Sequence, residues 1–304
     1  MTREEIIASL KGIFPPVVTP FNRRGGVDEG GFRANQERYA ASDLSGVVVA
    51  GSTGETPYLT ERERLRLVEI ARDQLRASQV LIVGTGLEST QETIRLSREA
   101  IERGADALLV LPPHYYRPKM DSRVLTAHYR ALADGVRRPV LIYSIPQFTG
   151  IRMEPELLGT LSRHPNIAGM KESSGDVAYL RAILRKVRPS FRAMAGLAAV
   201  LLESLRVGAV GGILAQANFI PELCIGVYDA FSRNQMKAAR VLQEGLAQSS
   251  EKVTLAYGIP GIKLACDLCG YTGGVPRSPL LPLDAASRRA VAVAIKELRN
   301  GLEY

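Results

Sequence analysis

The sequence predicts an α/β fold, a (β/α)8 TIM barrel followed by a C-terminal helical extension. Short apolar runs recur along the chain at the spacing of one βα unit, and an amphipathic, helix-like segment follows each run. Eight such units precede residue 233, which favours a closed barrel over an open doubly wound sheet. The prediction divides the chain into a barrel, residues 1–232, and a helical extension packed on it, residues 233–304.

The predicted strands are short runs of apolar, often β-branched residues that end in turn residues. Such runs are typical of strands buried on both faces of a parallel sheet. They are Ile13–Val18, Gly46–Ala50, Val80–Gly84, Ala107–Leu111, Val140–Ser144, Ile167–Lys171, Phe191–Ala195 and Val210–Leu214.

The predicted helices carry recognisable start and stop signals. Thr60 and Glu63 have capping-box spacing, Pro155 suits a first helical turn, and Gly104 and Gly208 lie where a helix would end. The barrel helices include Arg62–Ala77, Thr90–Arg103, Val124–Gly135, Glu156–Arg163, Val177–Arg188 and Leu197–Val207. Beyond the last strand the pattern is helical: Glu222–Ser232, Gln235–Ser249, Gly261–Cys269 and Ala285–Leu302.

Composition and charge exclude several classes of function. The N-terminal segment lacks a long apolar run, which predicts neither a signal peptide nor a membrane span, and hence a cytoplasmic protein that binds no membrane. The net charge is +8, but the arginines alternate with glutamates, as in residues 61–64. This mixture is typical of solvated helix faces, so we expect no nucleic-acid partner.

The sequence also argues against metals and bound cofactors. The three cysteines, Cys224, Cys266 and Cys269, form no disulfide framework, and one CxxC beside a total of three histidines makes a weak metal or redox signal. Residues 84–86 lack the third glycine of a dinucleotide fingerprint. We therefore expect no metal and no separate cofactor.

A barrel of this kind carries its reactive groups at the C-terminal ends of the strands. Lys171 ends the sixth predicted strand, and Tyr143 lies near the end of the fifth. Taken alone, Lys171 is more simply a structural lysine that reaches solvent or pairs with a carboxylate. Its place beside Tyr143 at the barrel rim favours instead a nucleophile that forms a Schiff base with a carbonyl.

A Gly-rich segment, Gly51–Glu55, follows the second predicted strand. Its sequence, GSTGE, offers free backbone N–H groups beside the hydroxyls of Ser52 and Thr53. Such a turn can hold a carboxylate, although turn formation alone would also explain its glycines.

With these residues placed, the chain resembles the dihydrodipicolinate synthase/N-acetylneuraminate lyase family of class I, pyruvate-dependent aldolases. The resemblance extends over essentially the whole length, and its motifs are specific to the family in combination rather than singly. They are Pro16–Phe21, Gly51–Glu55, Tyr115–Pro118, Tyr143–Pro146 and Gly169–Glu172.

The resemblance implies a role for each catalytic candidate. Lys171 is similar to the family's Schiff-base lysine, so the substrate imine takes the place of a cofactor. Tyr143 matches the tyrosine that transfers protons at the imine, and Ser52 matches a hydroxyl that relays them. Tyr115 matches a tyrosine that reaches into the active site of the neighbouring subunit, which implies a homodimer or homotetramer.

Five further residues are implied to bind a small oxo acid such as pyruvate. Thr53 and Gly51 belong to the turn that would hold the pyruvyl carboxylate. Gly196 and Ile213 match positions that line the pyruvate pocket. Ser173 would help to hold the distal part of the substrate.

Departures from the family pattern bear on the second substrate. Synthases of lysine biosynthesis carry an arginine where this chain has Phe148, and an aromatic ring cannot form a bidentate pair with a carboxylate. The chain is most similar to 4-hydroxy-2-oxoglutarate aldolases, with support from His164–Ile167, Lys171–Asp176, Leu87–Gln91 and Gly258–Gly261. We therefore expect cleavage of a 4-hydroxy-2-oxo acid to pyruvate and an aldehyde.

Two alternatives stay open. One is a 4-hydroxy-tetrahydrodipicolinate synthase that condenses pyruvate with aspartate semialdehyde, and the other is a non-catalytic oxo-acid sensor on the same scaffold. The positions implied for lysine feedback also differ, because His114 and Arg64 replace an aromatic and a neutral polar residue. We expect no inhibition by lysine.

Overall fold

The protein, analysed as a computed structural model that describes residues 1–300, folds into the predicted barrel. Eight parallel strands hydrogen-bond in the order β1-β8-β7-β6-β5-β4-β3-β2. Backbone bonds between β2 and the extended segment that follows β1 close the ring, from Val17 N to Val48 O at 2.9 Å and from Val48 N to Pro15 O at 2.9 Å. The strands are β1 Gly12–Phe14, β2 Gly46–Val49, β3 Val80–Gly84, β4 Ala107–Val110, β5 Val140–Ser144, β6 Ile167–Glu172, β7 Arg192–Ala195 and β8 Gly211–Ile213.

The predicted strands are confirmed, with differences at their ends. The largest is at β1, where the prediction extends to Val18 but the regular strand ends at Phe14. Pro15 and Pro16 follow, and proline has no N–H to continue a ladder. The chain nevertheless stays extended there, because Pro16 forms an isolated parallel bridge with Val48.

The helices surround the barrel and continue after it. They are α1 Arg3–Ser9, α2 Glu29–Ala41, α3 Glu61–Gln74, α4 Thr90–Glu102, α5 Ser122–Gly135, α6 Pro146–Thr149, α7 Pro155–Ser162, α8 Val177–Leu184, α9 Leu201–Arg206, α10 Pro221–Ser232, α11 Met236–Ser249, α12 Ala256–Leu268 and α13 Ala285–Asn300. The prediction lacked α1, α2 and α6. It also lacked the π-helical turn Ser250–Leu255, which joins α11 to α12. Residues 301 and 302 of the last predicted helix lie outside the described part of the chain.

The barrel interior is a packed core. Alternate residues of the strands meet inside it, and the intervening residues pack against the surrounding helices. Ile6 of α1 and Leu10 beyond its end belong to the interior cluster, so the first helix covers one mouth of the barrel. The interior strand residues are Phe14, Val48, Val80, Ile82, Ala107, Leu109, Leu141, Tyr143, Ala168, Met194 and Ile213.

Strand β6 contains a bulge that decides which way its last residues point. The consecutive residues Val140 and Leu141 of β5 pair with Ile167 and Gly169 of β6, so β6 holds one extra residue. Ile167 packs on the helix side of the sheet, and strict alternation from it would turn Lys171 the same way. The extra residue reverses the alternation and turns Lys171 into the barrel.

The C-terminal region returns to the rim of the barrel. Between α12 and α13 the chain crosses the ends of β1 and β2, where Val275 N donates to Phe21 O at 3.0 Å and Arg277 N donates to the Glu55 carboxylate at 2.8 Å. The helical extension is thereby joined to the loops that follow these strands. The division of the chain at residue 232 stays a prediction. Among residues 1–300, no helix combines the length and the apolar character that crossing a bilayer requires.

Candidate active site

Lys171 and Tyr143 face each other at the ends of β6 and β5. The two residues are direct partners in the strand register. The Nζ of Lys171 donates to the hydroxyl of Tyr143 at 3.2 Å and lies 4.4 Å from the centre of its ring. Both side chains are buried, with 4% and 3% of their surfaces exposed. The buried amine of Lys171 can therefore exchange a proton directly with the Tyr143 hydroxyl.

Ser52 extends this contact to a third residue. Its Oγ lies 3.4 Å from the Tyr143 hydroxyl, a long hydrogen bond. Ser52 and Tyr143 line a small cavity together with Gly51 and the ends of β3 and β4. The structure therefore brings the amine, the phenol and the hydroxyl into one chain of contacts beside a cavity.

The turn that carries Ser52 is held in an uncommon backbone conformation. Ala50 and Glu55, on either side of it, both have positive φ, 54° and 57°, which non-glycine residues rarely adopt. The hydroxyl of Thr19 donates to Gly54 O at 2.8 Å and fixes the turn to the end of β1. Thr53, which the prediction assigns to the substrate carboxylate, is 8% exposed within this turn.

The predicted binding residues Ser173 and Gly196 lie next to each other. Gly196 N donates to Glu172 O at 2.6 Å, and a Cβ at Gly196 would lie 1.9 Å from the Ser173 Oγ. Ser173 is buried and its Oγ has no partner among residues 1–300. Ile213 is fully buried in the interior cluster that contains Tyr143. The structure thus places these residues on the rim and inner wall near Lys171.

Tyr115 lies apart from this group in the single chain. Its side chain is 77% exposed and stacks edge-on against Tyr116. The carboxylate of Glu88 accepts the backbone N–H groups of His114 and Tyr115 at 2.8 and 2.9 Å, so this loop is anchored from α4's N-terminal side. Within residues 1–300 the Tyr115 hydroxyl makes no hydrogen bond to Tyr143 or Ser52.

Sequence reasoning missed a buried carboxyl group beside the site. Glu172 follows Lys171 directly, is 4% exposed, and accepts Ser174 N at 2.8 Å. Burial raises the pKa of Glu172 above its ordinary value. The residue lies in the GMKE motif, but the sequence alone does not show that its carboxyl group is buried.

The other missed feature is a buried ion pair. The Nζ of Lys263 in α12 lies 2.5 Å from Oε1 of Glu55, and both side chains are almost fully buried. Glu55 belongs to the GSTGE motif, but a lysine more than 200 positions away in the chain carries no signal that would link it to that motif.

Metal-binding chemistry finds no support in the described residues. Across residues 1–300, no three side chains of histidine, cysteine, aspartate or glutamate come together as metal ligands would. Burial raises the pKa values of the Cys266 and Cys269 thiols, which disfavours the thiolate that binds metals.

Replacing Gly196 with alanine is expected to destabilise the rim of the barrel. The new Cβ would lie 2.8 Å from the Glu172 carbonyl oxygen, which is backbone and cannot rotate away. Overpacking of this kind lowers the free energy of unfolding by about 1–3 kcal/mol. Urea denaturation followed by circular dichroism measures the change.

The matched control is Gly245→Ala in α11, where the nearest side-chain atoms are 3.7 Å from the new Cβ. Alanine is a better helix former than glycine, so this variant should be as stable as the wild type or more stable. Equal stability of the Gly196 and Gly245 variants would show that the rim accommodates the added atom.

Comparison with known proteins places the chain in a family. The sequence profile of the Dihydrodipicolinate synthetase family matches residues 9–298. The 4-hydroxy-tetrahydrodipicolinate synthase of Methanoculleus marisnigri is 35% identical over 91% of this chain and 95% of its own length. The 4-hydroxy-tetrahydrodipicolinate synthase 1 of Streptomyces coelicolor is 33% identical over 98% of this chain and 97% of its own.

The fold is shared with solved structures. The crystal structure of a prophage protein of the dihydrodipicolinic acid synthase family from E. coli K12, in complex with pyruvate, superposes with a TM-score of 0.89 at 30% identity. The match covers 95% of this chain and 98% of that one.

The family match shows an enzyme of the class I lyase type, which acts through a lysine Schiff base. The chain belongs to the dihydrodipicolinate synthetase family. The resemblance stated from the sequence is thereby confirmed at the level of the family. The finer likeness to 4-hydroxy-2-oxoglutarate aldolases is not specifically supported, because the relatives above are named as synthases.

Proposed function

We propose that the protein is a pyruvate-dependent lyase or synthase in which Lys171 forms the Schiff base. The observation that carries this proposal is the contact of Lys171 Nζ with the Tyr143 hydroxyl at 3.2 Å, in a buried site that Ser52 joins. A purely structural lysine would be expected to meet a carboxylate here, whereas Lys171 meets a phenol that can exchange protons with it.

The proposed reaction begins with attack of the unprotonated Lys171 amine on the keto carbon of pyruvate. Tyr143 supplies the proton that the departing hydroxyl group needs to leave as water, and a protonated imine results. The imine accepts the electron pair released when the C3–H or the C3–C4 bond breaks. Tyr143 and Ser52 then move protons between the imine, the substrate oxygen and solvent.

The carboxylate of pyruvate would be bound by the turn Gly51–Glu55. The turn offers backbone N–H groups and the hydroxyls of Ser52 and Thr53, and a carboxylate is well matched by such donors. The rim residue Ser173 would face the distal part of the substrate, and Gly196, which lies next to it, would line the pyruvate pocket.

Two second substrates are compatible with this chemistry. The names of the curated relatives favour aspartate semialdehyde, and with it the synthase reaction. Phe148 favours cleavage of 4-hydroxy-2-oxoglutarate. It lies on α6, 70% exposed, at the position where an arginine would pair with the carboxylate of aspartate semialdehyde. Taken together, the comparisons favour the synthase reaction over the one that Phe148 alone suggests.

A different cation lies close to this segment. The Arg117 side chain packs against Gly150, at the end of α6, so closely that a Cβ there would lie 2.7 Å from the Arg117 Cδ. Arg117 pairs with no carboxylate among residues 1–300, which leaves its guanidinium able to meet an anionic aldehyde. It would supply the charge that Phe148 lacks.

Steady-state turnover separates the two reactions. The rate of condensation of pyruvate with aspartate semialdehyde is compared with the rate of cleavage of 4-hydroxy-2-oxoglutarate, at matched enzyme concentration. Condensation faster by an order of magnitude or more supports the synthase, and the reverse supports the aldolase. Binding of oxo acids without turnover of either substrate would support the sensor.

The position of Tyr115 supports a role across a subunit interface. The tyrosine is exposed on an anchored loop, together with Tyr116, and exposed paired aromatics are typical of protein interfaces. We infer that a second copy of the chain receives Tyr115 beside its own Ser52 and Tyr143, in a homodimer or homotetramer.

Lysine is expected to leave the rate unchanged at millimolar concentrations. Arg64 donates to Thr56 O at 2.8 Å, and His114 Nδ1 lies 3.0 Å from Glu88 Oε1, so both implied feedback positions are engaged within the chain. A cationic arginine also repels the lysine side chain. Initial rates with and without lysine measure this, and saturable inhibition would contradict it.

A further inference from the structure

The buried ion pair between Glu55 and Lys263 joins the C-terminal extension to the turn that carries Ser52. The Nζ of Lys263 lies 2.5 Å from Glu55 Oε1 and donates to Val275 O at 2.7 Å. The other carboxylate oxygen of Glu55 accepts Arg277 N at 2.8 Å. The ring of Phe21 lies under both cations, 4.5 Å from Lys263 Nζ and 4.0 Å from the Arg277 guanidinium carbon.

Stability alone does not explain this pair. The side chains of Lys263 and Glu55 are 1% and 0% exposed, so both charges have lost their water. The desolvation of such a pair often equals or exceeds its attraction, and an apolar pair of similar volume is frequently as stable. A gain in the free energy of unfolding therefore does not explain why the chain buries this pair.

The backbone conformation of the turn explains why the pair is present. Glu55 ends the turn with φ 57°, and Ala50 precedes it with φ 54°. Left-handed backbone at non-glycine residues costs about 1 kcal/mol or more each, and it persists where the surroundings hold it in place. The Glu55 side chain is one such restraint, and the bond from Thr19 to Gly54 O is another.

We propose that Glu55 and Lys263 are positioning residues, through which the C-terminal extension holds the turn so that Ser52 stays within reach of Tyr143. The inference rests on the proposed function, since it assigns Ser52 a part in proton transfer. Neither residue touches Tyr143 or Lys171 by hydrogen bond, and each acts through the backbone of the turn.

The test uses the full-length double variant Glu55→Gln/Lys263→Met, which removes both charges and keeps the volumes similar. The reporter is the exchange of solvent deuterium into the methyl group of pyruvate, followed by NMR. This exchange needs the imine and a proton acceptor but no second substrate. Trapping of the pyruvate adduct with borohydride, quantified by mass spectrometry, reports imine formation separately.

We expect the double variant to unfold at a temperature close to that of the wild type and to trap pyruvate on Lys171. Its exchange rate should fall by about 10–100-fold, because a displacement of about 1 Å in a positioned group costs that much. Lys252→Met, which breaks an exposed ion pair with Glu297, is the matched control and should leave the rate unchanged.

A double-mutant cycle with Ser52→Ala distinguishes positioning from a general structural role. If the pair acts by placing Ser52, its removal in the Ser52→Ala background should slow exchange by less than about twofold. A full repeat of the 10–100-fold loss in that background, or a wild-type exchange rate in the Glu55→Gln/Lys263→Met variant, would overturn the inference. Failure of the proposed function looks different, because the wild type would then trap no adduct and exchange no deuterium.

Discussion

Replacing Lys171 with methionine is expected to lower turnover by a factor on the order of a thousand or more, because the variant has no amine to form the imine. Methionine is unbranched and apolar, so it can fill the space at the end of β6 without leaving a buried unpaired charge. Steady-state turnover of the preferred substrate pair measures the loss, and circular dichroism verifies the fold.

The matched control is Lys186→Met, which removes a surface lysine that pairs with Glu156. Its side chain is 51% exposed, and exposed ion pairs contribute little to stability. The control should therefore turn over at the wild-type rate. A Lys171→Met variant within about tenfold of the wild type would remove Lys171 from the mechanism, since loss of a nucleophile costs far more.

Replacing Tyr143 with phenylalanine is expected to reduce the catalytic rate by about 10²–10⁴-fold while Lys171 still forms an adduct with pyruvate. The variant keeps the ring, whose centre lies 4.4 Å from the Lys171 Nζ, and removes the hydroxyl that Lys171 and Ser52 contact. The deuterium exchange of pyruvate measures proton transfer directly, and borohydride trapping measures the adduct.

Tyr129→Phe provides the control for loss of a buried hydroxyl. Tyr129 is fully buried and donates to Val110 O at 3.0 Å, on the helix side of the barrel. Its substitution should lower stability by about 1 kcal/mol and leave the exchange rate unchanged. Equal exchange rates in the Tyr143 and Tyr129 variants would show that the Tyr143 hydroxyl does not transfer protons.

Apolar periodicity was enough to predict the barrel. All eight strands come from short buried runs, and the resemblance of five short motifs was enough to predict the family. Both kinds of signal are local in the sequence. These signals do not predict the direction of a side chain where a strand is irregular. The bulge before Met170 turns Lys171 into the barrel, and no residue pattern in the sequence indicates that bulge.

Contacts across long stretches of sequence were also beyond prediction. Most of the barrel sequence lies between Glu55 and Lys263, and only the folded chain shows that the two side chains are in contact. The sequence analysis missed the helix α1 for a related reason. Its seven residues show little periodicity, and only the folded chain shows that Ile6 is buried at the mouth of the barrel. Phe148 was likewise interpreted by itself, because only the folded chain shows that Arg117 packs against the same segment.

Borohydride trapping tests the central claim most directly. The wild-type protein is incubated with pyruvate, reduced, digested and mapped by mass spectrometry, with the Lys171→Met and Lys186→Met variants treated in parallel. The proposed mechanism predicts one adduct, on Lys171, in the wild type and in Lys186→Met, and none in Lys171→Met. An adduct on another lysine, or no adduct in the wild type, would contradict it.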